Sequence, residues 1–174
     1  MDITEVILEQ HHEQRRMFAV LDELPRDDTE ALDAVWGRLQ VLLEVHAEAE
    51  ERFFYPRLLR LGRGNPDSDV HDEVEDAVKD HNDIRDAVRA TRDHEVGSEG
   101  WWTAVWAARK ANDDHMGEEE REDLLDFRHH ADLQTPRHRG AVPDLRVPAL
   151  RGDPAPGQGP GEVHRRERLS GPVP

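Results

Sequence analysis

The chain of 174 residues contains no cysteine, which excludes disulfide staples, zinc fingers and thiolate chemistry. It has no apolar run near the roughly 20 residues that cross a bilayer. Its start, MDITEVILEQHH, lacks the pattern of a secretory signal. The expectation is a soluble, cytoplasmic protein. Positive charge is scarce: 23 Lys and Arg face 39 Asp and Glu, for a formal net charge of -16. Nucleic acids and anionic membrane surfaces both demand a basic footprint, so neither is expected as a partner. An acidic bundle does suit the capture of cations.

Proline is nearly missing from the first 133 residues, which hold three of the eleven, all in or near breaks of the helical pattern. From Gln134 onward the chain carries the other eight, six of the twelve glycines and no periodicity. Seven basic and four acidic side chains give this segment +3 and leave -19 for the first 133 residues. The expected organisation is a helical bundle over 1–133 and a Pro/Gly/Arg-rich tail over 134–174. That tail reads as disordered, because its composition buries too little apolar surface to offset the entropy of ordering it. The abrupt change after Thr135 also has the look of a shifted reading frame. With suitable synonymous codons, skipping one nucleotide turns His138–Pro143 into Ile-Ala-Val-Arg-Phe, a more ordinary globular sequence.

What remains is dense in helix formers. A first helix is predicted from about Ile3 to Leu24, with Ile3, Ile7, Phe18 and Leu21 on one stripe. Pro25 and the capping cluster Asp27-Asp28-Thr29 end it. A second is predicted from about Glu30 to Leu61, with Leu32, Val35, Leu39 and Leu42 or Leu43 inward, and with a kink or end near Tyr55 imposed by Pro56. After the turn-rich GRGNPDSD, a third is predicted from about Val70 to His94. Gly97 and Ser98 precede a fourth, from about Glu99 to Arg128. Short connections imply an all-α, antiparallel up-down-up-down four-helix bundle.

Eleven histidines are many for this length, and their placement is patterned. His46 and Glu50 on the second helix, and His115 and Glu119 on the fourth, both read H-x-x-x-E, one turn apart on one face. The first and third helices supply single histidines in matching contexts, QHHEQR and DHNDIR, each with a histidine four residues before an arginine. His81 continues the stripe of Val74, Ala77, Val78, Ile84 and Val88, and His11 that of Ile7, Phe18 and Leu21. His12, one position round the helix, is the other candidate. A lone inward histidine is ordinarily a hydrogen-bonded core residue, and a lone H-x-x-x-E a solvated pair. Six such groups converging from four helices are different, since each one left unsatisfied would cost about 1–3 kcal/mol. Imidazole with carboxylate suits iron or manganese, and zinc also accepts it.

On His11-His12-Glu13, HAEAEERFFYPRL, DHNDIR and HMGEEERED, in that order, residues 3–130 resemble the hemerythrin-like (HHE cation-binding) family in its bacterial form. The resemblance implies two iron ions with an oxo or hydroxo bridge, meeting dioxygen or its reduced products. By position, Glu50 and Glu119 match bridging carboxylates and His11, His46, His81 and His115 match terminal ligands. The oxygen-carrying members have a second histidine where this chain has Arg85, which makes simple reversible oxygen carriage less expected. Water, His12 or Glu118 are candidates to fill that position. A ferritin-like pattern would need E-x-x-H on two helices, and only Glu9–His12 fits it.

The expected function is therefore a non-haem di-iron protein that binds, senses or detoxifies dioxygen, peroxide or nitric oxide, with catalase-like decomposition of peroxide as its enzymatic version. The alternatives are an iron-handling or iron-sensing module and a metal-free structural bundle. Trp36, Trp101, Trp102 and Trp106 read as core and rim packing, and Tyr55 as packing at the Pro56 break. Glu118, Glu120 and Glu122 read as an acidic face, and His71, His94, His129 and His130 as solvated. His138 and His164 lie in the tail and attract no ligand role.

Overall fold

The computed structural model describes residues 2–65 and 68–131. The tail beyond 131, including its predicted disorder and frame change, lies outside the described residues. Helices α1 (Ile3–Glu23), α2 (Thr29–Ala49), α4 (Val70–Ala90) and α5 (Glu99–Arg121) are the long members of a bundle, with short helices α3 (Tyr55–Leu61) and α6 (Asp123–His130) extending α2 and α5. Each long helix begins on a side chain that accepts from an otherwise unpaired N–H. Asp2 serves Thr4, Asp28 serves Ala31, Asp69 serves His71 and Asp72, and Ser98 serves Trp101. Among the described residues there is no β structure beyond an isolated bridge between Asn65 and Ser68.

The core falls into two apolar clusters. One gathers Phe18, Leu21, Leu39, Leu43, Ile84, Trp101 and Ala108, the other Ile3, Ile7, Phe54, Tyr55, Leu58, Ala77, Leu124 and Phe127. Along α1 and α4 the chain passes from the second cluster to the first, and along α2 and α5 it returns. The topology is the expected up-down-up-down bundle. Each candidate ligand lies between the two clusters in its helix, as His11 does between Ile7 and Phe18. The polar layer is thus sealed by apolar packing on both sides, where each fully buried large apolar side chain contributes roughly 1.5–3 kcal/mol.

Two predicted helices are interrupted where the sequence reading had them continue. The second is not bent at Pro56 alone: a π turn over Glu50–Phe54 precedes it, closed by the Tyr55 N–H on the Glu50 carbonyl. The fourth breaks at Glu122, at φ -118° and ψ -73°, before α6 begins. The two breaks serve one geometric need. Glu50 is followed inward by Tyr55 and Leu58, and Glu119 by Leu124 and Phe127, all buried and at the same offsets of five and eight. A regular helix would swing the fifth residue well off the inward face. A π turn absorbs the extra residue, so that carboxylate and lower core face inward together. The third predicted helix likewise ends earlier, its last turn tightening to a 3-10 turn over Thr91–Asp93, with Thr91 accepting from the Trp36 indole at 3.1 Å.

The loop after α3 is tied to α6 by Asp126, whose carboxylate accepts from the N–H groups of Arg63 at 2.7 Å and Gly64 at 3.0 Å. Gly64 has φ +76°, and a Cβ there would meet the Ser68 carbonyl oxygen at 2.4 Å. Replacing Gly64 with Ala is therefore expected to destabilise the bundle by about 1–3 kcal/mol, read as a lower urea midpoint at unchanged m-value. A midpoint equal to the parent's would mean this backbone is not constrained as described.

Candidate metal centre

His11 on α1, His46 on α2, Glu50 opening the π turn, His81 on α4, and His115 and Glu119 on α5 meet in the polar layer, none more than 2% exposed. His11 Nε2 lies 3.1 Å from His46 Nε2, and His81 Nε2 lies 3.0 Å from His115 Nε2. Glu50 stands between the two pairs, with Oε1 3.0 Å from His46 Nε2 and Oε2 3.3 Å from His81 Nε2. Glu119 Oε2 approaches His11 Nε2 at 3.3 Å. Two groups can hold a metal ion, His11, His46, Glu50 and Glu119 in one and Glu50, His81 and His115 in the other.

The outer nitrogens are anchored. His11 Nδ1 meets Glu120 Oε1 at 2.9 Å, His46 Nδ1 meets Gln10 Oε1 at 2.8 Å, and His81 Nδ1 meets Glu51 Oε1 at 2.9 Å. His115 Nδ1 faces Asp80 Oδ2 at the longer distance of 3.9 Å. These partners are acceptors, so a neutral ring keeps its proton on Nδ1 and turns the Nε2 lone pair inward. Burial above all, then the neighbouring histidines, holds His46 well below the usual imidazole range. Burial, then His115 and Arg85, pushes His81 down to about 2. His115 is also lowered, chiefly by burial. Bare lone pairs 3 Å apart repel one another, and among the described residues only the Tyr55 hydroxyl, 3.5 Å from His81 Nε2, comes within reach of one. All four carboxylate oxygens of Glu50 and Glu119 are buried and lack a hydrogen-bond donor. Burial, and next the charge of Glu119, raises Glu50 well above the ordinary carboxylate range. Inward lone pairs with donorless carboxylates are a donor set well matched to metal cations, so the residues present fit a metal centre.

The profile of the hemerythrin HHE cation binding domain matches residues 2–125, more than half of the chain. The chain belongs to the hemerythrin HHE family. No curated protein and no solved structure matches it. In this HHE domain the six residues singled out by spacing are brought together, and His12 is not with them: it is exposed on the outer face of α1. Arg85 donates to Glu51 Oε1 at 2.9 Å. Glu118 lies exposed.

Several site residues escaped the sequence reading. Glu120, taken for part of an acidic face, holds His11 and accepts from Arg15 at 2.8 Å. Glu51 does the same for His81 with Arg85. The shared spacing of His11 to Arg15 and His81 to Arg85 was the trace of this arrangement, since each arginine clamps the carboxylate that holds its histidine. Tyr55 both packs and borders the site, stacked on His81 with its hydroxyl 3.5 Å from Nε2. Burial, then Glu119 and Glu50, raises its phenol. Asp123, only 5% exposed, is pushed up to about 8 by burial and then by Glu119, Glu73 and Glu122.

Asp123 makes the metal-free HHE domain pH-sensitive. Its folded value stands above its ordinary value of 3.8, so the folded state keeps a proton that the unfolded chain releases. The penalty is absent below pH 4 and grows as pH rises to about 8, at up to ~1.4 kcal/mol per pH unit. Asp123→Asn is expected to raise the apo melting temperature, and by more at pH 8 than at pH 5. An equal gain at both would refute this origin.

Proposed function

We propose that this chain is a non-haem di-iron protein that binds, senses or removes dioxygen, peroxide or nitric oxide. The observation that carries this reading is Glu50, whose two oxygens face different histidine pairs. One ion would take His11, His46 and Glu119, the other His81 and His115, with Glu50 shared between them. Two imidazoles with carboxylate oxygens for each ion favour iron or manganese over the softer metals. Bound iron would supply Lewis acidity and a one-electron redox couple.

The chain's own residues perform the rest. Glu51 and Glu120 hold the His81 and His11 rings with Nε2 inward, and Arg85 and Arg15 hold those carboxylates. Such outer partners tune ligand basicity and ring orientation. The apolar clusters exclude bulk water on both sides, and Tyr55 closes the lower side against His81. A cleft of about 110 Å³ between α2 and α4 has His81 in its wall, with Arg85, Arg89 and Arg92 alongside. A cleft that small admits diatomic or peroxide-sized ligands. An iron-sensing role without catalysis is the second reading, favoured by the donorless carboxylates, which tie stability to occupancy.

Anaerobic loading with Fe²⁺ followed by desalting is expected to leave about two irons per chain, one for each donor group. Near-ultraviolet absorption should grow on exposure to air, and the melting temperature should exceed that of the metal-free protein. No retained iron would overturn the proposal. Rapid peroxide decomposition by the loaded protein would favour detoxification, and its absence the sensing role.

Glu51→Ala and Glu120→Ala test the outer anchors. Each is expected to weaken iron binding about ten- to a hundredfold in a competition titration, while the apo far-ultraviolet circular dichroism stays that of the parent. Unchanged affinity in both would mean these carboxylates do not orient the rings.

A further inference from the structure

Gln14 of α1 is fully buried, and neither Nε2 nor Oε1 of its amide meets a hydrogen-bond partner among the described residues. An amide taken out of water without a partner opposes folding, whereas an aliphatic side chain of the same size would pack there without that cost. The other half of the bundle has that aliphatic side chain. His81 is followed three residues later by buried Ile84, as His11 is by Gln14.

Position decides what the amide can serve. Gln14 lies three residues after His11, which places the two side chains on one helix face with Cβ atoms about 5–6 Å apart. Helical side chains lean toward the N-terminus, and on α1 that direction leads from Phe18 and Leu21 to His11. The lean aims the Gln14 amide at the His11 side of the polar layer. The groups it faces there are acceptors: Glu119 Oε2 stands 3.3 Å from His11 Nε2 and meets no donor. Gln14 bonds to neither of them. Donor and acceptors that share a sealed layer without touching can be joined by a small group placed between them. Asn112, the buried amide one turn before His115, turns its Nδ2 to the Met116 sulfur at 3.6 Å. Nor does Gln14 line the cleft at His81 or the acidic crevice at His115 and Glu119, so those openings do not wet it.

We propose that Gln14 determines which small ligand this centre prefers, its Nε2–H donating to the outer atom of an anionic ligand of the peroxide or azide class held beside His11 and His46. The inference deepens the di-iron reading above and rests on it. Such an anion keeps lone pairs on an atom away from the metal, and a hydrogen bond to a charged acceptor is the stronger kind. The amide is already desolvated, so donating to that atom costs no further loss of water. Nitric oxide, a neutral diatomic, is a poorer acceptor and gains little. Discrimination then comes from a buried polar group whose bond is made with one ligand and left unmade with the other. Ile84 offers no such bond on the His81 side, so the outer atom of the ligand is drawn toward α1.

The test uses the full-length protein loaded with iron, beside Gln14→Leu and Gln14→Met. Both replacements remove the amide at similar volume, so the metal-free variants should melt no lower than the parent and should take up the same amount of iron. Azide is titrated into the air-oxidised protein and followed by its visible charge-transfer band; nitric oxide is titrated into the ferrous protein. Both variants are expected to bind azide about tenfold more weakly, the factor set by one hydrogen bond of ordinary net strength, with nitric oxide affinity within about twofold of the parent's. The antisymmetric stretch of bound azide in the infrared should shift between H₂O and D₂O in the parent and in neither variant, a signature that a packing role would not produce. Unchanged azide affinity in both variants, an equal loss for azide and nitric oxide, or a solvent shift that survives the replacements overturns the proposal and leaves the di-iron reading intact. A parent that retains no iron overturns both.

Discussion

Two buried carboxylates, Glu50 and Glu119, lie in the middle of this bundle beside four imidazoles and accept no hydrogen bond. Such an arrangement does not hold itself together, because desolvation and like-charge repulsion both oppose it. The scaffold around it supplies what it lacks. Apolar clusters clamp each helix above and below the polar layer, and outer hydrogen bonds keep the lone pairs of His11, His46 and His81 turned inward. Much of the molecule can be understood as the means of keeping an unfavourable arrangement available for cations. That is also why metal, once held, should strengthen the fold that presents it.

The arrangement is nearly two-fold. His11 corresponds to His81, His46 to His115, Glu50 to Glu119, Glu51 to Glu120 and Arg15 to Arg85, with Gln10 and Asp80 as the unequal pair. That inequality leaves one half with a neutral amide behind His46 and the other with a carboxylate behind His115. The amide is hydrogen-bonded to its ring at 2.8 Å, whereas the carboxylate stands off at 3.9 Å. The two donor groups therefore differ in their backing, and an acidic crevice opens beside the half that holds His115.

Much of this was legible in the sequence because the candidate ligands obey the helical period. His11, rather than His12, faces inward because the stripe through Ile7, Phe18 and Leu21 runs through it, and the H-x-x-x-E spacing puts Glu50 and Glu119 on the same buried faces as His46 and His115. Spacing could not reveal where the period is broken. The π turn after Glu50 and the distortion at Glu122 arise from tertiary demand, the need for Tyr55 and Leu124 to face the core alongside the carboxylates. Nor could it separate Glu51 and Glu120 from their acidic neighbours, since a run of glutamates reads alike whether a residue meets solvent or the back of a histidine. Only the repeated histidine-to-arginine interval hinted at their role.

The anchoring pattern has a mechanical consequence. His11 belongs to the α1–α2 hairpin yet is held by Glu120 of α5, and His81 belongs to the α4–α5 hairpin yet is held by Glu51, next to α2. The hairpins are cross-latched through the very side chains that face the centre. Separating them like the halves of a clam would release both latches and turn both rings, so gross opening and an intact centre are mutually exclusive. Clefts in the walls, at His81 on one side and at His115 and Glu119 on the other, reach the layer with both latches closed.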